Sequence, residues 1–176
     1  MTDKKTVKIA VTAHRPNKLP GKYDYYHPAN LAIATKLREH LLTHLNAGKR
    51  VHAISGMALG GDTIFALVAL KLKRQGYDIL LESAIPCANH SNQWPEKSKQ
   101  QWKVIVEAAD IVTYVSKQLY KPYLMQKRNE YMVDSCSELI AVWNGDQSGG
   151  TYNCVKYAEK MKKKIIQINP LGVIGK

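Results

Sequence analysis

Two glycine-bearing segments stand where apolar runs end, and both are built to approach an anion. Ser55-Gly56-Met57-Ala58-Leu59-Gly60-Gly61-Asp62 follows the run Val51 to Ile54, and Asn144-Gly145-Asp146-Gln147-Ser148-Gly149-Gly150-Thr151 follows Leu139 to Trp143. Glycine lets backbone amides come close to a ligand, and a helix N-terminus favours negative charge. Two such loops in one basic chain predict a site for a phosphate-bearing ligand, with phosphate on Gly60-Gly61 and on Ser148-Gly149-Gly150-Thr151. Asp62 has two readings, a helix N-cap worth roughly 1 kcal/mol or a carboxylate holding a ribose hydroxyl. Thr151 is either a cap or part of the phosphate contact. The first segment is neither a P-loop nor a GxGxxG fingerprint, because no Gly-Lys-Ser/Thr follows and the spacing differs.

Other residues could join such a site. Arg15, in Thr12-Ala13-His14-Arg15-Pro16, offers a planar fork to phosphate. His14 can donate a hydrogen bond or exchange a proton near neutral pH. Arg128 and Asn129 lie near the start of a helix and could reach the same ligand. Trp94 could stack on a base. Tyr23, Tyr25 and Tyr26 read as packing rather than as a lid, and Trp143 as core. The candidate binding set is thus His14, Arg15, Ser55, Gly56, Met57, Gly60, Gly61, Asp62, Trp94, Arg128, Asn129, Ser148, Gly149, Gly150 and Thr151. No catalytic residue is assigned.

The elements that must position these residues alternate along the chain. Strands are predicted at Val7–Ala13, Val51–Ile54, Ile79–Ile85, Ile111–Val115, Leu139–Trp143 and Ile165–Ile168. Helices are predicted at Ala29–Leu45, Asp62–Gln75, Glu96–Ala109, Met125–Ser135 and Thr151–Lys162. Leu31, Ala34, Leu37, Leu41 and Leu45 show the helical spacing, and Gly48 and Gly76 close their helices. Such alternation means right-handed crossovers and a mainly parallel sheet covered on both faces. The expected fold is α/β, one three-layer Rossmann-like domain over residues 1–176. Ligands of such sheets bind outside the carboxyl ends of the strands, so the loops at His14, Ser55, Pro86, Ser116 and Asn144 share one edge.

Composition narrows the partners. The 176 residues carry 26 Lys and Arg against 14 Asp and Glu, a formal charge of +12. That favours anionic partners: a nucleotide-type small molecule first, with nucleic acid also open. Lys160, Lys162, Lys163 and Lys164 read as the exposed end of a helix rather than a nucleic-acid patch. No apolar stretch reaches membrane-spanning length, and a cytoplasmic protein is expected. Cys87, Cys136 and Cys154 have no metal-ligand spacing and read as free thiols. His40 and His44, four apart on a helix, could share a metal but read as a solvated face, because no acidic or thiolate residue is placed close enough to complete such a site. No metal and no cofactor is expected.

Taken in order, five motifs resemble the YpsA-like branch of the SLOG superfamily. They are Thr12 to Pro16 (TAHRP), Ser55 to Asp62 (SGMALGGD), Ala84-Ile85-Pro86 followed by Trp94, Arg128 to Asp134 (RNEYMVD), and Val142 to Thr151 (VWNGDQSGGT). The resemblance spans nearly the whole chain. It implies a Rossmann-like fold with a nucleotide-type ligand at the glycine loops, and related folds often pair through helices, so a homo-oligomer is expected. Members of the superfamily divide among phosphoribohydrolases that cleave a base from a nucleoside monophosphate, sensors of NAD- or ADP-ribose-derived signals, and DprA-like binders of single-stranded DNA. Against the phosphoribohydrolase pattern, Met125 and Arg128 match but Asn129 replaces a lysine. Gly150 and Thr151 also match, but Cys154 stands where that family has a glutamate. Asp62 or Glu130 would have to supply the missing carboxylate. The expectation is therefore binding, as a sensor or a sequestering protein for an ADP-ribose- or NAD-type molecule. Nucleotide N-glycosidase activity and DNA binding are the alternatives.

Overall fold

The computed structural model describes residues 3–172. Six strands form one sheet: β1 (Thr6–Ala13), β2 (Arg50–Ser55), β3 (Ile79–Ile85), β4 (Ile111–Tyr114), β5 (Glu138–Val142) and β6 (Lys164–Ile168). Five helices connect them: α1 (Pro28–Asn46), α2 (Gly61–Arg74), α3 (Glu96–Ala108), α4 (Pro122–Ser135) and α5 (Gly149–Lys160). All paired strands are parallel, in the order β4-β3-β2-β1-β5-β6. The fold is the expected three-layer, Rossmann-like α/β arrangement.

Alternation along the strands builds the two faces. Ile9 and Val11 of β1, Val51 and Ala53 of β2, and Ile140 and Val142 of β5 pack with Ile33, Leu37 and Leu41 of α1, Phe65 of α2 and Ile105 of α3. Ala10, Ile54, Ala84 and Leu139 face the other way, onto Met132 and Val133 of α4 and Cys154 and Ala158 of α5. On that second face Glu82 is buried and shared. Its carboxylate accepts from Tyr131 at 2.5 Å and from Thr113 at 2.8 Å, and pairs with His52 at 2.7 Å. Burial pushes the Glu82 carboxyl up, but the bonds from His52, Tyr131 and Thr113 outweigh it and hold the group at about 2.

The strand order has one functional consequence. From β1 the chain steps outward through β2, β3 and β4, then returns to the other side of β1 as β5. The crevice beyond the carboxyl ends of β1 and β5 is therefore the topological switch point, where open α/β sheets bind ligands. No helix among the described residues is long and apolar enough to cross a membrane.

Candidate functional site

A cleft of about 240 Å³ opens at that switch point. The β1–α1 loop forms one wall with His14, Arg15, Asn17 and Lys18, and the start of α5 forms the other with Ser148, Gly149, Gly150 and Thr151. Ala58, Asp62, Arg128, Asn129 and Met132 also line it.

The α5 wall is open to a ligand. The backbone amides of Gly149, Gly150 and Thr151 have no acceptor among the described residues. Ser148 occupies the N-cap position but makes no cap bond; its hydroxyl turns instead to Asp146 Oδ1 at 3.3 Å. A Cβ built on Gly149 or Gly150 would meet nothing within 4 Å. Gly149 needs glycine for its φ of +88°, but Gly150 has no such requirement. Space is thus left over the first turn of α5, where the helix dipole favours an anion.

His14 fixes the walls to each other. Its backbone amide donates to Val142 O at 3.0 Å and its carbonyl accepts from Gly61 at 3.1 Å. Its Nε2 lies 2.9 Å from Asn144 Oδ1 and 3.2 Å from the Asn144 amide. Burial, above all, lowers the His14 imidazole below its ordinary value. Lys18 adds a second tie, 2.7 Å from Asp146 Oδ2. Arg15 is exposed, and its side chain makes no hydrogen bond or ion pair among the described residues.

The floor of the cleft holds two buried groups of opposite charge. Arg128 donates to Gly56 O through Nη1 and to Asn129 Oδ1 at 3.2 Å through Nε. Burial lowers its pKa, against the attraction of Asp62. Asp62 accepts from the Ala58 amide at 3.2 Å. Burial pushes its carboxyl up to about 6 in spite of Arg128, that amide and Arg15. Asp62 is the one acidic residue among those lining the cleft.

The SGMALGGD segment has a different task from the one its glycines suggest. The Gly61 amide is sealed by His14 O. A Cβ on Gly61 would collide with the Ala13 methyl, and one on Gly60, whose φ is +91°, would lie 2.5 Å from His14 O. A Cβ on Gly56 would lie 2.5 Å from Arg128 Nη1. At each of the three positions the space a Cβ would need is taken by protein atoms. Ser55 is fully buried and donates to Asp62 O at 2.9 Å while accepting from the Met57 amide. Met57 is fully buried at φ +56°, and its carbonyl faces His90 Nε2 at 3.2 Å. Burial holds His90 down at about 3, so its ring is neutral and donates there. The segment is a clamp that positions Asp62 and Arg128.

Ser55, Gly56, Met57, Gly60 and Gly61 therefore stand behind or beside the cleft rather than on its wall. Trp94 is also elsewhere, stacked edge-on against His90 and Trp102 with centroids 4.9 and 6.3 Å away. Its ring is used by the protein. Tyr23 and Tyr26 are exposed, at 64% and 78%, rather than packed. With Lys22, Asp24, Tyr25, Pro16, Gly60 and Lys97 they line a second hollow of about 460 Å³. Pro16 faces this hollow while Arg15 and Asn17 face the cleft, so the two share a ridge. Asn17, Lys18 and Asn144 were not among the predicted residues. Nothing in the spacing of Asn17 and Lys18 marks them, and Asn144, which opens the second glycine segment, is brought against His14 only by the fold. Cys154, at the position of the phosphoribohydrolase glutamate, is buried, and burial pushes its thiol up to about 12.

Comparison with known proteins fits this picture. A family model described as the YspA SLOG family, YpsA, matches residues 9–172. The chain belongs to the YpsA family. It is 27% identical over 157 residues to a UPF0398 protein of Halalkalibacterium halodurans, covering 89% of this chain and 82% of that protein. It is 33% identical over 147 residues to the SPbeta prophage-derived protein YoqJ of Bacillus subtilis, covering 76% and 84%. Among solved structures it resembles DNA processing protein A of Streptococcus pneumoniae, with a TM-score of 0.63 and 16% identity. It also resembles that of Helicobacter pylori, described for its single-stranded DNA binding mode, with a TM-score of 0.61 and 18% identity. This YpsA family member superposes over 93% of its own length but spans only 50% and 65% of those two chains. At that identity the likeness is one of fold. Family and fold together support nucleotide-related binding in general.

Proposed function

We propose that the protein binds a nucleotide phosphate over the first turn of α5, and that the phosphate is carried on a single strand of DNA. The observation that carries the proposal is the open α5 N-terminus: amides at Gly149, Gly150 and Thr151 without a side-chain cap, and no protein atom within 4 Å of where a Cβ on Gly149 or Gly150 would lie. Arg15 and Arg128 border the same cleft and supply positive charge. Three further observations support a strand as the carrier. The formal charge is +12. The second hollow sets the exposed rings of Tyr23 and Tyr26 beside Lys22 and Lys97, the pairing of stacking faces and cations that a single strand uses. The fold resembles DNA processing protein A.

A small nucleotide, such as an ADP-ribose- or NAD-type molecule, is the second reading. Asp62 favours it, because a carboxylate at the cleft floor suits a ribose hydroxyl and disfavours a passing phosphate chain. Asp62 is also the carboxylate that an N-glycosidase variant of this reading would require.

Salt separates the carriers. Strand binding releases counterions, so affinity for a fluorescent oligothymidylate should fall steeply with salt, with a log–log slope of about −0.7 per phosphate contacted. A mononucleotide or ADP-ribose should show a shallow dependence. Arg15→Ala should weaken whichever ligand binds by roughly tenfold, as loss of one charge-assisted contact does, with no change in melting temperature. Tight, salt-insensitive binding of the small molecule with none of the oligonucleotide would overturn the strand as carrier. Unchanged affinity of Arg15→Ala for both would remove the cleft itself. Release of free base or ribose phosphate on incubation would establish the glycosidase variant.

A further inference from the structure

The opposite end of the sheet carries a second cluster that the nucleotide reading does not use. His40 and His44 stand one turn apart on α1, and Glu138 is the first residue of β5. Glu138 Oε2 lies 2.8 Å from His40 Nε2 and 3.1 Å from His44 Nε2. The three ligand atoms all lie within 4.8 Å of one another. The side chains are only 18%, 13% and 9% exposed, so the expected solvated helix face is corrected: an acidic partner 94 and 98 residues away in sequence closes the group. Burial pushes the Glu138 carboxyl up, but the bonds from His40 and His44 outweigh it and keep it below its ordinary value.

We propose that His40, His44 and Glu138 form a binding site for a divalent transition metal of the zinc type. Two imidazoles and one carboxylate, with the histidines at i and i+4 on a helix, are a donor set that Zn2+ accepts. In a tetrahedral site with bonds of about 2.0–2.1 Å, neighbouring ligand atoms stand about 3.3 Å apart. The two Glu138–imidazole separations, 2.8 and 3.1 Å, need to open by only a few tenths of an ångström, and the two imidazole nitrogens already lie within 4.8 Å of each other. A fourth position is left for water. Lys164 opposes the ion, with Nζ 3.4 Å from Glu138 Oε1. It approaches the oxygen turned away from the imidazoles, and at 65% exposure it is free to swing into solvent. The ion would pin α1 to β5 at the amino ends of the strands, away from the cleft, so it is a clip rather than part of the nucleotide site.

The test uses the full-length, untagged protein stripped with chelator and titrated with Zn2+ and with Co2+. One equivalent should bind with micromolar or tighter affinity, the melting temperature should rise, and Co2+ should give the visible bands of a four- or five-coordinate site. His44→Ala and Glu138→Gln should each bind at least tenfold more weakly. Should either variant fail to fold, the wild-type protein still decides the matter: imidazole NMR should show two of the six histidines shifting on Zn2+ addition. Absence of stoichiometric binding, or shifts at histidines other than His40 and His44, would overturn the site and leave the trio a hydrogen-bonded staple. Neither result bears on nucleotide binding.

Discussion

Asp62 is the residue whose chemistry the fold alters most usefully. Its carboxyl rises from 3.8 to about 6 because it is buried at the cleft floor. An acid with a raised folded-state pKa binds more protons folded than unfolded between those values, so its contribution to stability falls as pH rises through that window. At about 1.4 kcal/mol per pH unit, the full effect is roughly 3 kcal/mol. His90, held at about 3, gives the opposite slope between 3 and 6.5, so the parent protein shows little net trend from this pair. Asp62→Asn removes one side of the balance. Urea unfolding at a series of pH values should show the variant gaining stability over the parent as pH rises from 4 to 6. A constant difference would contradict the buried, raised carboxyl. Gly56 offers a second check at this scale. Gly56→Ala places a methyl against the Arg128 guanidinium and should cost about 1–3 kcal/mol through overpacking, with ligand affinity lost as well, because Arg128 is displaced.

At the scale of elements, the two glycine pairs have separate tasks, and sequence could not tell them apart. A Gly-Gly step at a helix start reports only that something comes close. At Gly60-Gly61 that something is the end of β1, through His14 O and the Ala13 methyl. At Gly149-Gly150 no other part of the protein lies within 4 Å of where a Cβ would stand. Gly61→Ala should therefore lower stability by about 1–3 kcal/mol, whereas Gly150→Ala should leave stability unchanged or raise it by up to about 1 kcal/mol, the helix preference of alanine. Affinity should move the other way for Gly150→Ala, falling at least several-fold. Thermal melts and one binding isotherm for each variant check the contrast. If Gly150→Ala binds as the parent does, the space over α5 is not where the ligand sits.

Across the whole molecule, the layering was legible because each strand and helix keeps its own period. Val7–Ala13 was predicted as a strand and is found within Thr6–Ala13, and Ile79–Ile85 coincides. The helix starts moved by up to three residues: α4 begins at Pro122 rather than Met125, since proline suits the first turn of a helix, where its missing donor is not needed. β4 ends at Tyr114, one residue short of the expected Val115, whose amide still donates to Ile85 O at 2.8 Å. Of the candidate cleft, the shared lining by His14, Arg15, Asp62, Arg128, Asn129 and the α5 start is legible in sequence, since residues at the carboxyl ends of parallel strands must share an edge. What stayed hidden depends on contacts between distant segments: Lys18 with Asp146, His14 with Asn144, and Glu138 with His40 and His44. The packing expected of the tyrosines holds only for Tyr25, which packs on the core, while Tyr23 and Tyr26 in the same Tyr-Asp-Tyr-Tyr run are exposed.

The amides of α5 report on the central claim most directly. In amide-resolved NMR of the 15N-labelled protein, titrated in parallel with oligothymidylate and with ADP-ribose, the resonances of Gly149, Gly150 and Thr151 should move earliest and furthest with the ligand that binds. Gly61, whose N–H is already bonded to His14, should move little. Saturable binding with the α5 amides unmoved and the largest shifts elsewhere would contradict the account.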